Sequence, residues 1–222
     1  MGDNAPVILP EKTKMNPLNS VTGTIVAGFV VAIIILLLTG DNPITAMGAA
    51  KGSSIIIWLH VLAGITWIGL LYYFNFVQGP ALADAAADDG GPGGAGITKY
   101  VAPRALLWFR WSALLTWLTG AAFLLHSPKG SLAGAFMLGM GGENVHAYNM
   151  TIGIGVWLGT IMLLNVWGLI WPNQKKVLGM VEASADEIAK AKKIAFIASR
   201  TNTLLSVPLV MSMVGAGHGF FM

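Results

Sequence analysis

Residues 53 to 78 read SSIIIWLHVLAGITWIGLLYYFNFVQ, and this almost continuously apolar stretch decides the fold. A helix rises about 1.5 Å per residue, so roughly 20 such residues cross the ~30 Å hydrocarbon layer of a bilayer. A single histidine, His60, interrupts the stretch. We therefore predict a transmembrane helix with an ionisable residue inside it, and such a residue is by default a functional-site hypothesis.

His60 shares one helix face with Gly64 and Trp67, because residues four and seven positions apart recur on the same side of a helix. Gly64 leaves a gap one turn from the imidazole, which is the space that a flat macrocycle needs. We predict that His60 is an iron ligand and that Gly64 and Trp67 lie beside the cofactor. The alternative is a histidine that packs helices together, since small residues also mark helix contacts.

The composition indicates a membrane protein. Of the 222 residues, 55% are hydrophobic and 10% are charged, against about 25% charged in a typical soluble domain. We predict an all-α, polytopic membrane helix bundle in which residues 21–222 form a single domain after an N-terminal tail at residues 1–20. Five spans are predicted, at residues 21–38, 54–77, 106–125, 149–170 and 202–221, with a cytoplasmic linker helix at 175–200, within which Ser184 and Glu187 fit a capping box that opens a charged helix.

The fourth span carries Gly155 and Gly159 at a four-residue spacing, which predicts close approach to another helix. Asn165 in the same span is a buried polar group that must find a partner.

Basic residues are concentrated on one side of this topology, which holds eleven of the thirteen lysines and arginines. They are Lys12, Lys14, Lys99, Arg104, Arg110, Lys175, Lys176, Lys190, Lys192, Lys193 and Arg200. By the positive-inside rule, the N-terminus is cytoplasmic and the C-terminus is periplasmic, in a bacterial inner membrane. The net charge of +3 therefore reflects topology and does not indicate a nucleic-acid partner.

The sequence contains no cysteine. This excludes disulfides, thiolate metal sites, iron–sulfur clusters and the covalent attachment of a c-type haem. Any haem must be held without covalent bonds to the chain.

All four histidines fall in the outer half of the predicted bundle. His60 and His218 lie within spans, and His126 and His146 lie at the outer interface. Two imidazoles from facing helices are a common way for a bundle to hold a b-type haem. We predict one haem b, or two, with His60 paired with either His218 or His146.

Two other interpretations of the histidines stay open. Met137 and Met140 stand near His146 in the sequence, and thioether with imidazole suits copper. The other interpretation is that no cofactor is bound, because apolar segments use methionine and histidine in packing as well.

Four segments resemble one family: HVLAGITWIGLLYYFNFVQGPAL, PRALLWFRWSALLTWLTG, LGTIMLLNVWGLIWPNQKK and SRTNTLLSVPLVMSM. They are similar, in the same order, to the membrane domain of bacterial membrane-bound urate oxidases, which are coupled to a cytochrome c. The resemblance runs from about residue 55 to residue 218. It implies a helical membrane oxidoreductase domain that passes electrons to the periplasmic side. The family's c-type cytochrome domain has no counterpart here, so we expect a truncated relative.

The leading functional hypothesis is a b-type haem protein that transfers electrons to a periplasmic c-type cytochrome. The alternative is a cofactor-free accessory subunit of a larger respiratory or photosynthetic membrane complex. No acid–base pair or nucleophile constellation stands out, so catalytic residues are not assigned and any chemistry would be that of the cofactor. A transporter is disfavoured because no predicted span contains an acidic residue.

Overall fold

The structure is a computed structural model that describes residues 16–39, 49–140 and 146–219; the side chains of residues 39, 49–51 and 146 lie outside the description. Within these ranges every element is helical and there is no strand. The all-α prediction is confirmed for this part of the chain.

The described ranges contain eight α-helices in this order: α1 (Val21–Thr39), α2 (Ala49–Tyr72), α3 (Gly79–Ala87), α4 (Ala102–Leu125), α5 (Leu132–Phe136), α6 (His146–Leu164), α7 (Trp171–Val177) and α8 (Ala185–His218). π-helical segments at Tyr73–Gln78 and Asn165–Ile170 connect α2 to α3 and α6 to α7 without a break. A third π-helical segment, Ile97–Val101, leads directly into α4. The sequence pattern did not predict these π-helical segments.

In the part of the chain that the structure describes, four helical stretches are long and apolar enough to cross a membrane: Val21–Leu38, Gly52–Ala87, Ala147–Val177 and Ala185–His218. Five had been predicted. The helix predicted at residues 106–125 does form, as the 24-residue α4. However, α4 is less apolar than the four stretches named above, because it contains Arg104, Arg110 and several tryptophan, serine and threonine side chains. It is therefore not one of those stretches.

The chain divides into two compact units, Met1–Gly52 and Ser53–Met222. In the first unit, the side chain of Asn16 accepts a hydrogen bond from the backbone N–H of Leu18 and caps a short 3₁₀ turn ahead of α1. The side chains of α1 are almost all apolar and mostly exposed. Of the tail predicted at residues 1–20, residues 1–15 lie outside the described ranges.

The core of the second unit forms where α2, α4, α6 and α8 meet. Trp67, Leu71, Phe109, Met162 and Val166 are among its fully buried side chains. Large apolar and aromatic side chains therefore fill the centre of the bundle.

Helices α6 and α8 run antiparallel and approach each other closely. A Cβ on Gly155 would come within 2.9 Å of Ser212 Oγ, and one on Gly159 would lie 3.3 Å from Leu209 Cδ1. The predicted role of these two glycines in close helix packing is confirmed.

Helix α8 is longer than predicted. Its capping box is confirmed, because Ser184 Oγ accepts from the backbone N–H of Glu187 and the Glu187 carboxylate accepts from the backbone N–H of Ser184. From there α8 continues for 34 residues, through Pro208, to His218. From residue 185 the predicted linker helix and the fifth span are thus joined in a single helix, roughly 51 Å long at 1.5 Å per residue. The first part of the linker helix predicted at 175–200 is different, because residues 175–177 belong to α7 and residues 178–184 are not helical.

A row of polar side chains on α8 is buried against the other helices: Asn202, Ser206 and Ser212. We call it the polar seam. Asn202 donates through Nδ2 to the Met162 carbonyl at 3.0 Å, and Asn165 Nδ2 donates to Asn202 Oδ1 at 2.9 Å. Asn165 had been predicted to need a buried partner, and Asn202 is that partner.

The polar seam predicts a stability effect. Replacing Asn202 with alanine (Asn202→Ala) removes both hydrogen bonds and leaves the Asn165 amide without its partner. We expect the free energy of unfolding to fall by about 1–2 kcal/mol, measured by SDS or denaturant titration in detergent. Thr201→Ala is the matched control, because Thr201 is exposed and its hydroxyl donates only within its own helix, to the Ile197 carbonyl. Equal stability of the two variants would contradict the prediction.

Candidate functional site at the interface of α2 and α4

His60 lies on α2 and faces α4. Its Nδ1 is 2.8 Å from the carbonyl oxygen of Thr116. A carbonyl oxygen can only accept, so Nδ1 carries the hydrogen and donates it. In the neutral ring, Nε2 is then the unprotonated nitrogen, with its lone pair available to a metal or a donor.

Gly120 makes room for the His60 ring. A Cβ at position 120 would lie 2.9 Å from Cε1 of His60 and 3.1 Å from Nδ1, but 3.9 Å from Nε2. Side chains at this position would therefore displace the protonated edge of the ring. Thr116 and Gly120 were not predicted as site residues. The four-residue spacing of these two small residues could have indicated them, because that pattern marks helix contacts.

Gly64 has a different neighbour from the one predicted. A Cβ at Gly64 would lie 3.8 Å from Cγ2 of Thr116, an ordinary van der Waals distance. The space beside Gly64 therefore faces Thr116 of α4 and would hold a methyl group. Small residues at positions 64 and 120 let side chains of α2 and α4 meet around His60.

Trp67 lies in the apolar core. Its side chain is 2% exposed and packs among Leu71, Phe109 and their neighbours. Its Nε1 is buried, and no atom of the described chain accepts a hydrogen bond from it. The predicted stripe of His60, Gly64 and Trp67 does face inward, but it faces packed helices over most of its length.

The other three histidines stand at helix ends. His126 directly follows α4 and His218 ends α8; both are exposed, with Nδ1 bonded to a carbonyl of the same helix, Ala122 at 2.9 Å and Val214 at 3.0 Å. His146 begins α6, and its side chain lies outside the description. The successive helices α4, α6 and α8 run in alternating directions. The end of α4, the start of α6 and the end of α8 therefore lie on the same side of the bundle.

His60 lies deeper than the other histidines. Its contacts Thr116 and Gly120 precede His126 by ten and six positions, which is roughly 15 and 9 Å along α4. The histidines are therefore gathered toward one end of the bundle, as predicted, but at two different depths.

Positive charge is gathered at the opposite end, where α4 and α8 begin and α7 ends. The guanidinium of Arg110 stacks over the ring of Trp171, 3.9 Å from its centroid. Trp167 Nε1 donates to the backbone carbonyl of Arg110 at 3.2 Å. Arg110 is thus held against an aromatic ring of α7.

The side chains that could ligate a metal ion or a haem iron determine which of these groups the site fits. Among the described residues, no three histidine or carboxylate side chains come together as they would around a metal ion. Met137 and Met140 are exposed, at 55% and 71%. A haem needs one or two imidazole nitrogens in apolar surroundings. His60 satisfies that requirement for one ligand, because Nδ1 is committed to a carbonyl and Nε2 is not.

Comparison with known proteins gives one match. A family model described as "Urate oxidase N-terminal" matches residues 143–222, the part of the chain that contains α6, α7 and α8. No curated protein and no solved structure matches the chain. The match supports a relationship between this region and the urate oxidase family, as the resemblance in the sequence implied.

The contact between His60 and Gly120 can be tested with two matched substitutions. Gly120→Ala and Gly64→Ala each gain up to about 1 kcal/mol of helix propensity, but only the methyl group at position 120 collides with the imidazole. We expect Gly120→Ala to be less stable than Gly64→Ala by about 1–2 kcal/mol in detergent unfolding.

A double-mutant cycle separates this contact from general crowding. In a His60→Ala background, Gly120→Ala should no longer destabilise the protein, because the ring that it displaces is absent. If Gly120→Ala still lowers the stability in the His60→Ala background, the tight contact is not with His60.

Proposed function

We propose that this chain is an integral membrane protein that binds a b-type haem through His60 and passes electrons toward a periplasmic cytochrome. It would thereby resemble the membrane domain of a membrane-bound urate oxidase. The observation that carries the proposal is the hydrogen bond from His60 Nδ1 to the Thr116 carbonyl, which leaves Nε2 as the free nitrogen.

The hydrogen bond of His60 is the kind that orients a ligating imidazole. Histidine ligands in proteins usually donate their second ring N–H to a carbonyl or carboxylate, which fixes the tautomer and makes the ligating nitrogen more basic. Thr116 supplies the carbonyl, and Gly120 supplies the space for the ring. The residues of α4 therefore act as positioning residues for His60.

Haem bound at this position would supply one-electron transfer, since the chain offers no other redox group. The second axial ligand in this proposal is His218 or His146. A Cβ at Gly217 would have no atom within 4 Å, so the end of α8 beside His218 has open space. The space that Gly64 was expected to offer faces Thr116, which would contact a methyl group at position 64, and the proposed site does not include it.

Charge and composition support the direction of electron flow. Most of the described lysines and arginines lie toward the helix ends opposite to His126 and His218, with Lys129 on the histidine side, and the positive-inside rule puts the basic end in the cytoplasm. The histidines would then face the periplasm of a bacterial inner membrane, where c-type cytochromes accept electrons. The family match over α6 to α8 supports an origin in an oxidoreductase.

A second function is a cofactor-free accessory subunit of a larger membrane complex. It is favoured by the tight contact of His60 with Gly120, which needs no ligand to explain it. It is also favoured by the large aromatic side chains exposed on the bundle surface, such as Trp108 and Trp111, each 53% exposed. These could contact another subunit instead of lipid.

The absorption spectrum of the chain, purified from cells supplied with haem, tests the proposal. We expect a Soret band and sharp α-bands on reduction, and a loss of at least about tenfold in bound haem in His60→Ala. Ile65→Ala is the matched control, because Ile65 lies on the same helix and is 65% exposed. It should retain the haem.

Two further variants, His218→Ala and His146→Ala, identify the second ligand. The second ligand is the histidine whose substitution changes the spin state of the haem iron while His60 still holds the iron. A colourless wild-type protein that is correctly inserted would overturn the haem proposal and favour the accessory subunit.

A further inference from the structure

A second candidate site lies at the basic end of the bundle, far from the histidines. A cavity of about 380 Å³ opens between the Tyr73–Gln78 segment, α3, the first turns of α4, α7 and α8. We call it the basic-end cavity. Its walls are mainly apolar, with Phe74, Leu106, Phe109 and Ile170 among them.

One polar atom in this cavity has no partner. Gln78 Oε1 is buried, and no group in the described chain donates a hydrogen bond to it. Its neighbour Asn75 donates to Ser199 Oγ at 2.8 Å and to the Leu71 carbonyl at 2.8 Å, so it does not donate to Gln78. A buried carbonyl oxygen without a donor is costly. The cavity therefore favours an occupant that carries an O–H or N–H group.

The cavity is also positively charged. Lys192 and Arg200 line it, and its lining residues include no aspartate or glutamate. The nearby Glu187 is already paired with Lys176 at 3.3 Å. The guanidinium of Arg200 lies over the ring of Phe196, 5.2 Å from its centroid, which is a contact with another lining residue. An anionic occupant would balance the two cations.

We propose that the basic-end cavity binds the headgroup of an anionic phospholipid that carries a free hydroxyl, the chemistry of phosphatidylglycerol. The phosphate would face Lys192 and Arg200, a headgroup hydroxyl would donate to Gln78 Oε1, and an acyl chain would lie along the apolar walls. The ammonium of phosphatidylethanolamine would be repelled by the two cations, and phosphatidic acid lacks the headgroup hydroxyl. The inference rests on membrane insertion, and it does not depend on haem.

The test uses the full chain in detergent, loaded from vesicles of defined composition and analysed by native mass spectrometry. We expect phosphatidylglycerol to be retained about tenfold more than phosphatidylethanolamine, since each basic residue contributes on the order of a few-fold in affinity. The retention of phosphatidic acid should lie between those of phosphatidylglycerol and phosphatidylethanolamine. Free glycerol 3-phosphate should not bind, because it has the charge and the hydroxyls but no acyl chain. Retention of the free phosphate ester would overturn the lipid assignment.

Three variants locate the site. Lys192→Ala with Arg200→Ala should abolish the preference for anionic lipid. The matched control, Lys190→Ala with Lys193→Ala, removes the same charge from the same helix outside the cavity lining and should leave the preference unchanged. Gln78→Leu should lower retention of phosphatidylglycerol to that of phosphatidic acid, with helicity measured by circular dichroism to confirm folding.

Three further results would also overturn the proposal. Equal retention of phosphatidylglycerol and phosphatidylethanolamine would exclude anion binding. An equal loss in the control pair would show that the attraction is diffuse. An unchanged preference for phosphatidylglycerol in folded Gln78→Leu would exclude the hydroxyl contact.

Discussion

The amide pair of Asn165 and Asn202 is the constraint on which the bundle depends. In apolar surroundings a side-chain amide has no water to bond, so its hydrogen bonds must be made inside the protein. Asn202 meets this need with a single partner helix, donating to the Met162 carbonyl and accepting from Asn165. Sliding α8 by one residue along α6 would separate these groups, so the pair sets the register of the two helices. Gly155, whose N–H donates to Ser212 Oγ at 2.9 Å, belongs to the same register.

The same polar seam connects α8 to α2 and so leads to the candidate site. Tyr72 and Ser206 share a hydrogen bond of 2.9 Å between their hydroxyl groups. This contact lies near the end of α2, three turns away from His60. Closer to its start, α2 contacts α4 through the hydrogen bond from His60 Nδ1 to the Thr116 carbonyl. The orientation of His60 therefore depends on a helix that is itself placed by the core, and not on α2 alone.

The two ends of the bundle differ in chemistry, and this separation gives the proposed functions their places. One end carries imidazoles and few charges, which suits electron transfer through a bound haem. The other end carries most of the lysines and arginines, together with a cavity whose buried Gln78 oxygen has no donor among the described residues. A protein that spans a membrane meets different solvents and different lipid headgroups at its two surfaces. An asymmetric bundle of this kind can use one surface for redox partners and the other for anionic lipid.

The sequence by itself determined the helical class, the positions of the long apolar segments, the capping box at Ser184 and the close packing at Gly155 and Gly159. Each of these follows from local composition or from spacing along one helix. It also placed His60 inside an apolar helix. Only the tertiary structure decided which helix His60 faces, that Gly120 makes room for its ring, and that Gly64 faces Thr116 of α4. Periodicity shows which residues share a face, but the partner of that face is set by packing between segments that are distant in sequence. For a related reason, the sequence did not show that α8 is continuous. Its first half is charged and its second half is apolar, so the sequence predicts two separate elements. The structure shows one unbroken helix.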